Sequence, residues 1–215
     1  LEERRPSPTL PTPPRTPAAR GIAIAALSLF ADTDPRRVTI RQIADAAQVS
    51  VGSIYAQYGS KDGLYLAVLS DALTLSARYT LNRKWSASPL QRVFNVGEAY
   101  VRFATENPEA FRVIAQRTAV DTTVPEIAQA EVRVTKQIER EVAAITDDLQ
   151  AAMDAGEIMA LPVHEVFAYL WGSWVGVLGL TVRDDPFKIS ADEAYRILAA
   201  AQHALARGLR PQTAS

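Results

Sequence analysis

Val51, Gly52, Ser53, Tyr55, Gln57 and Lys61 lie close together in the segment TIRQIADAAQVSVGSIYAQYGSKDGLYL, residues 39–66. Their side chains suit contact with a nucleic-acid duplex. A hydroxyl on Ser53 or Tyr55 can donate to a phosphate oxygen, the Gln57 amide can make a bidentate pair with adenine, and Val51 can meet a thymine methyl. Gly52 and Ala56 have so little bulk that the backbone can come close to its partner. Lys61 adds a cation to a helix start, which itself favours phosphate. Bond-making chemistry has no comparable constellation. His164 and His203 are the only histidines and lack metal-ligand spacing. Asp147–Asp148 and Asp184–Asp185 are neighbours in sequence, so their carboxylates diverge and suit solvated caps. The chain has no cysteine, no phosphate-cradling glycine loop and no nucleophile motif. No metal, cofactor or enzymatic activity is expected.

These side chains need short, sharply angled helices to present them. Thr39 and Gln42 form a capping box that starts a helix running to about Ala47. Ser50 is the next N-cap, and only Gln48 and Val49 intervene, so the third helix turns sharply from the second. On that third helix Ile54 and Tyr58 face inward, while Gly52, Ser53, Ala56 and Gln57 point away. Ser60 caps a fourth helix with Leu64, Ala67, Val68 and Leu75 along one face. Ahead of them, Ile22, Ala25, Ala26, Leu29 and Phe30 recur with helical period from Ala18 and stop at the Asp32–Pro35 turn. Between Pro35 and Lys61, Arg36, Arg37, Arg41 and Lys61 are opposed only by Asp45, a local basic excess in a chain of net charge −1.

With 48% apolar residues among 215, the chain can bury a sizeable core. Residues 1–17 are rich in proline and arginine and are expected to be disordered; they lack the apolar stretch of a signal peptide. Because the chain opens on Leu1 and not Met, its start is expected to lie upstream. Beyond Asn82 no strand alternation or repeat is visible. Ser88-Pro89, Asn107-Pro108 and Val124-Pro125 place proline at helix starts. They predict helices near 89–106, 108–118 and 125–155, with two more through His164–Val182 and from the Ser190/Glu193 capping box to Gly208. The fold class is therefore all-α.

The run IRQIADAAQVSVGSIYAQYGSKDGLYLAVL, preceded by a helix ending in LSLFA, resembles the DNA-binding domain of the TetR family of bacterial transcriptional regulators over roughly residues 16–76. The resemblance implies a three-helix, helix-turn-helix domain at 18–76, with the motif at 39–58, followed at 77–210 by a larger helical ligand-binding and dimerisation domain. It also implies the DNA-binding set: Thr39 and Arg41 on the backbone, with Arg41 reaching toward a base, then Val51, Gly52, Ser53, Tyr55 and Gln57 as the reading surface. Lys61 would clamp a phosphate, and Ser50 and Tyr58 at the two ends of the third helix complete the set. Asp32-Thr-Asp-Pro35 replaces the glycine turn usual in relatives. Val175 stands where many carry a histidine, so that residue's ligand role does not transfer.

ENPEAFRVI and YLWGSWVGVLGL look like the second half of the same family. Trp85, Phe94, Tyr100, Phe103, Phe111, Trp171 and Trp174 are candidates for lining a cavity for a small apolar effector, with Arg117 or Gln116 as a polar anchor. The uncharged run 166–182 is shorter than the roughly 20 residues a membrane span needs. Its Gly172, Gly176 and Gly179, with Ala194, Leu198, Ala201 and Leu205 on the last helix, are candidates for a homodimer seam. The expected whole is a cytoplasmic, ligand-responsive repressor that binds a near-palindromic operator as a dimer. The alternative is a helical small-molecule-binding or interaction protein without operator-specific DNA binding.

Overall fold

The computed structural model describes residues 16–81, 88–183 and 185–209. Among these residues the chain forms α-helices and no strand: α1 Pro17–Asp32, α2 Ile40–Ala47, α3 Val51–Tyr58, α4 Lys61–Thr80, α5 Pro89–Glu106, α6 Pro108–Ala115, α7 Pro125–Asp154, α8 Val163–Thr181 and α9 Ala191–Gly208. The helix starts follow from local chemistry. Thr16 caps α1 by accepting from the Ala19 amide at 3.2 Å, so the helix begins one residue earlier than the sequence predicts, at Pro17. Residues 1–15 of the proline-rich opening lie outside the described residues. At α2 and α9 both bonds of the predicted capping boxes are present. Pro89, Pro108 and Pro125 each stand first in their helices, where the missing amide proton costs nothing.

The chain divides into two compact units. The first comprises residues up to Ser76 together with Glu106–Ile138, the second Ala77–Thr105 and Glu139–Ser215. Residues 106–138, expected from the sequence in the second region, thus belong with the first. The reason is apolar: α1 packs on α6, and Val113, Ile127 and Val134 join the same buried cluster as Ile22, Phe30, Ile43, Ile54 and Leu66. Phe30 and Tyr65 meet edge to face at 5.5 Å in that core. Burying each such side chain contributes about 1.5–3 kcal/mol, enough to hold three short helices that would not persist alone.

In the second unit α8 packs on α9, and an aromatic cluster centres on Tyr100. Gly97 on α5 makes the close approach there: a Cβ would lie 2.7 Å from the Gln202 amide nitrogen and 2.9 Å from the Trp174 ring. Arg92 and Asp148 pair at 2.9 Å with both side chains largely buried. Among the described residues no helix is long and apolar enough to cross a membrane.

Candidate nucleic-acid interface

α2, the turn and α3 are built so that one face stays open. Gln48 ends α2 in the left-handed conformation at φ 55°, and Val49 donates back to Ala44. The chain then reverses into Ser50, whose hydroxyl accepts from the Ser53 amide at 3.1 Å and caps α3. Ile54 is wholly buried in the first unit's core and anchors the helix. Val51 is 38% and Tyr55 49% exposed, and Gly52, Ala56 and Gln57 are exposed beside them, so one face of α3 is open. Arg41 is exposed on α2. Gly59 ends α3 at φ 73°, a conformation that favours glycine. Gly63 lets α4 begin at once, since a Cβ there would fall 2.2 Å from the Tyr58 carbonyl oxygen.

Several members of the expected DNA-binding set have partners within the chain. Tyr58 points inward: its hydroxyl donates to the Ala19 carbonyl at 2.7 Å, because it lies one turn beyond Ile54 on the buried face. Ser50 and Thr39 are occupied as caps, Thr39 accepting from the Gln42 amide at 3.2 Å. The Ser53 hydroxyl pairs with Ser50 at 2.8 Å, which leaves Ser53 half-buried. Lys61 does not extend into solvent. Its ammonium donates to the carbonyls of Pro35, Arg36 and Val38 at 3.1, 3.0 and 3.1 Å.

Charge on this face is also redistributed. Asp34 accepts the Arg36 guanidinium and the Arg36 amide, and this bonding holds its carboxyl at about 2, well below the usual carboxylate range. Arg36 is therefore paired with Asp34 although its side chain is exposed, and Arg37 and Arg41 are exposed as well. A small cleft of about 110 Å³ lies beside Lys61, bordered by Tyr65, Asp62 and Thr118. There the Tyr65 hydroxyl accepts from the Thr118 amide at 3.0 Å and Asp62 from the Asp121 amide at 3.2 Å. The sequence does not reveal these roles, since backbone acceptors and donors carry no residue signature.

The candidate ligand residues divide. Tyr100, Phe103, Trp171 and Trp174 come together in the second unit, with Tyr100 ring centroids 5.0 Å from Trp171 and 5.8 Å from Phe103. Phe94 is half-buried on α5 of the same unit, its carbonyl facing Gln202. Burial, with the Glu141 charge adding to it, pushes the Tyr100 phenol above its ordinary range, so it stays neutral. Phe111 is buried in the first unit, where Arg117 is exposed and paired with Glu131. Trp85 lies outside the described residues.

The proposed seam also needs correction. Ala194 and Leu198 are buried within the chain's own second unit, on the α9 stripe whose Gln202 lies against Gly97 of α5. Ala201 is exposed and Leu205 half-buried. A Cβ at Gly172, Gly176 or Gly179 would meet no heavy atom within 4 Å, so this stripe of α8 is open. Tyr169 and Phe187, 63% and 73% exposed, extend the apolar surface of that unit.

Comparison with known proteins agrees with this geometry. Residues 22–68 match the family described as bacterial regulatory proteins, tetR family, and residues 93–211 match the tetracyclin repressor-like C-terminal domain. The chain is 35% identical over 86 residues to the HTH-type transcriptional repressor KstR2 of Mycolicibacterium smegmatis, covering 39% of this chain and 42% of that protein. It is 32% identical over 124 residues to the HTH-type transcriptional activator FasR of the same organism, covering 56% and 54%. The chain thus spans about half the length of these relatives. Among solved structures it is similar to the TetR family regulator PfmR from Thermus thermophilus, with a TM-score of 0.70 at 19% identity over 88% of this chain and 99% of that one, a likeness of fold.

Proposed function

We propose, given that the chain belongs to the tetR family of bacterial regulatory proteins and is a DNA-binding transcriptional regulator, not an enzyme, that it acts in the cytoplasm as a dimeric repressor released by a small apolar effector. The observation that carries the DNA-reading part is the exposed α3 face. Val51, Tyr55 and Gln57 stand out from a helix that Ile54 anchors in the core. Placed in a major groove, Gln57 reads an adenine edge and Val51 a thymine methyl, while Tyr55, Arg41 and Arg37 meet phosphates. With few base-reading side chains on α3, DNA shape adds to the discrimination.

The open glycine stripe of α8 supports pairing with a second copy through α8 and α9 in a four-helix arrangement. Two such reading heads match a near-palindromic site with half-sites about 34 Å apart, or a multiple of that. The aromatic cluster around Tyr100 supports an apolar effector, and α4, which contributes residues to both units, is the element through which its binding is sensed. A coupling of about 1–3 kcal/mol lowers operator affinity roughly 5–150-fold. The repressor sign follows the relative with the higher identity, KstR2.

Selection of duplexes from a random-sequence library by the full chain tests the reading. A near-palindrome with that spacing is the expected result. Absence of any enriched sequence would leave a helical ligand-binding or interaction protein without operator-specific binding.

A further inference from the structure

We propose that Lys61 is a positioning residue for DNA binding: it holds the loop between α1 and α2, and through that loop Arg37, the start of α2 and Arg41, in place of gripping a phosphate itself. The inference rests on the reading of α2–α3 as the DNA-contacting element. An ammonium has three protons, and those of Lys61 have acceptors in the Pro35, Arg36 and Val38 carbonyls at 3.1, 3.0 and 3.1 Å.

The loop is shaped to need such a cation. Asp34 accepts from the Arg36 amide at 2.9 Å through its side chain and from the Arg37 amide at 2.8 Å through its carbonyl, which closes a tight turn. Pro35 and Val38 are buried and fix it from the core side. The turn leaves the oxygens of residues 35, 36 and 38 converging on one point. Such dipoles repel one another unless a positive charge sits among them. The last of these residues, Val38, immediately precedes Thr39, the cap of α2, so the grip on the loop sets where α2 begins. A guanidinium cannot replace the ammonium, because its donors lie in a planar fork and not around a point.

The test compares wild type, Lys61→Met and Lys61→Arg. In the DNA-free full chain, amide hydrogen exchange is followed at Arg37, Val38 and the first turn of α2. On the duplex selected by the wild type, affinity is measured for each, with Arg37→Ala made in the wild-type and Lys61→Met backgrounds. Removing three charge-assisted bonds should speed loop exchange roughly tenfold or more, with Leu66 in the core as the unchanged control. Lys61→Arg should lose affinity as Lys61→Met does. Arg37→Ala should cost less in the Lys61→Met background than in wild type, since the loop no longer delivers it. A phosphate clamp needs only the charge. Unchanged loop exchange, wild-type binding by Lys61→Arg, or additive losses would each overturn the proposal. Wild-type binding to the selected duplex is scored separately, and the exchange measurement uses no DNA, so a failure of the DNA-contact reading is distinguishable from a failure of this one.

Discussion

Gly63 shows how little room one residue leaves at the junction of α3 and α4. Its absent Cβ would sit 2.2 Å from the backbone oxygen of Tyr58, so Gly63→Ala must move α4 away from the end of α3. We expect a loss of about 1–3 kcal/mol in urea unfolding, and weaker binding to the selected duplex, since α3 is displaced. Gln48 stores strain of the opposite sense. As the one described non-glycine residue with positive φ, at 55°, it is held in a left-handed conformation that glycine adopts freely. Gln48→Gly should therefore raise stability by roughly 0.5–1 kcal/mol after glycine's own entropy is counted. No change or a loss in the unfolding midpoint would show the turn to be held by something other than this backbone preference. At this scale the sequence is informative about caps, because Thr39, Ser50 and Ser190 announce themselves by type and spacing. It is silent about Lys61 and Tyr58, whose partners are backbone carbonyls more than twenty positions away in the chain.

Elements were legible where a local rule ends them. Proline at the first position and the two capping boxes set the starts of α2, α5, α6, α7 and α9. Which element covers which was less legible. A helical wheel shows that Ala194 and Leu198 form an apolar stripe, but not that the chain's own second unit buries it. Likewise Val113, Ile127 and Val134 look like any apolar helix face until α1 and α6 are seen together. The contact at Gly97 supplies a test of packing in the second unit. A methyl there would press on the Gln202 amide and the Trp174 ring, at 2.7 and 2.9 Å. Gly97→Ala is expected to destabilise by about 1–3 kcal/mol, with a change in tryptophan fluorescence. An unperturbed spectrum with wild-type stability would mean that α5, α8 and α9 separate there at negligible cost.

At the scale of the whole molecule, the proposed function needs two copies and one groove-reading face on each. The open stripe of Gly172, Gly176 and Gly179 makes Gly176→Leu informative, because nothing within the chain opposes the larger side chain. It should leave the helical content intact and shift light scattering from twice the chain mass toward the 23.4 kDa of one chain. A dimer of undiminished stability would move the seam elsewhere. The two-unit division was only partly legible for a related reason: 106–138 carry no linker-like composition at either end, so the sequence offers no mark of a change of partner.

If the exposed face of α3 enters the groove as proposed, Gln57→Ala changes which bases the protein prefers. Competition among duplexes carrying every single base-pair change in the selected site should show this variant losing discrimination at one symmetric position in each half-site. The expected loss there is about 1–3 kcal/mol, with the other positions read as in wild type. A preference profile identical to wild type at every position, or a uniform loss across all of them, would contradict the account.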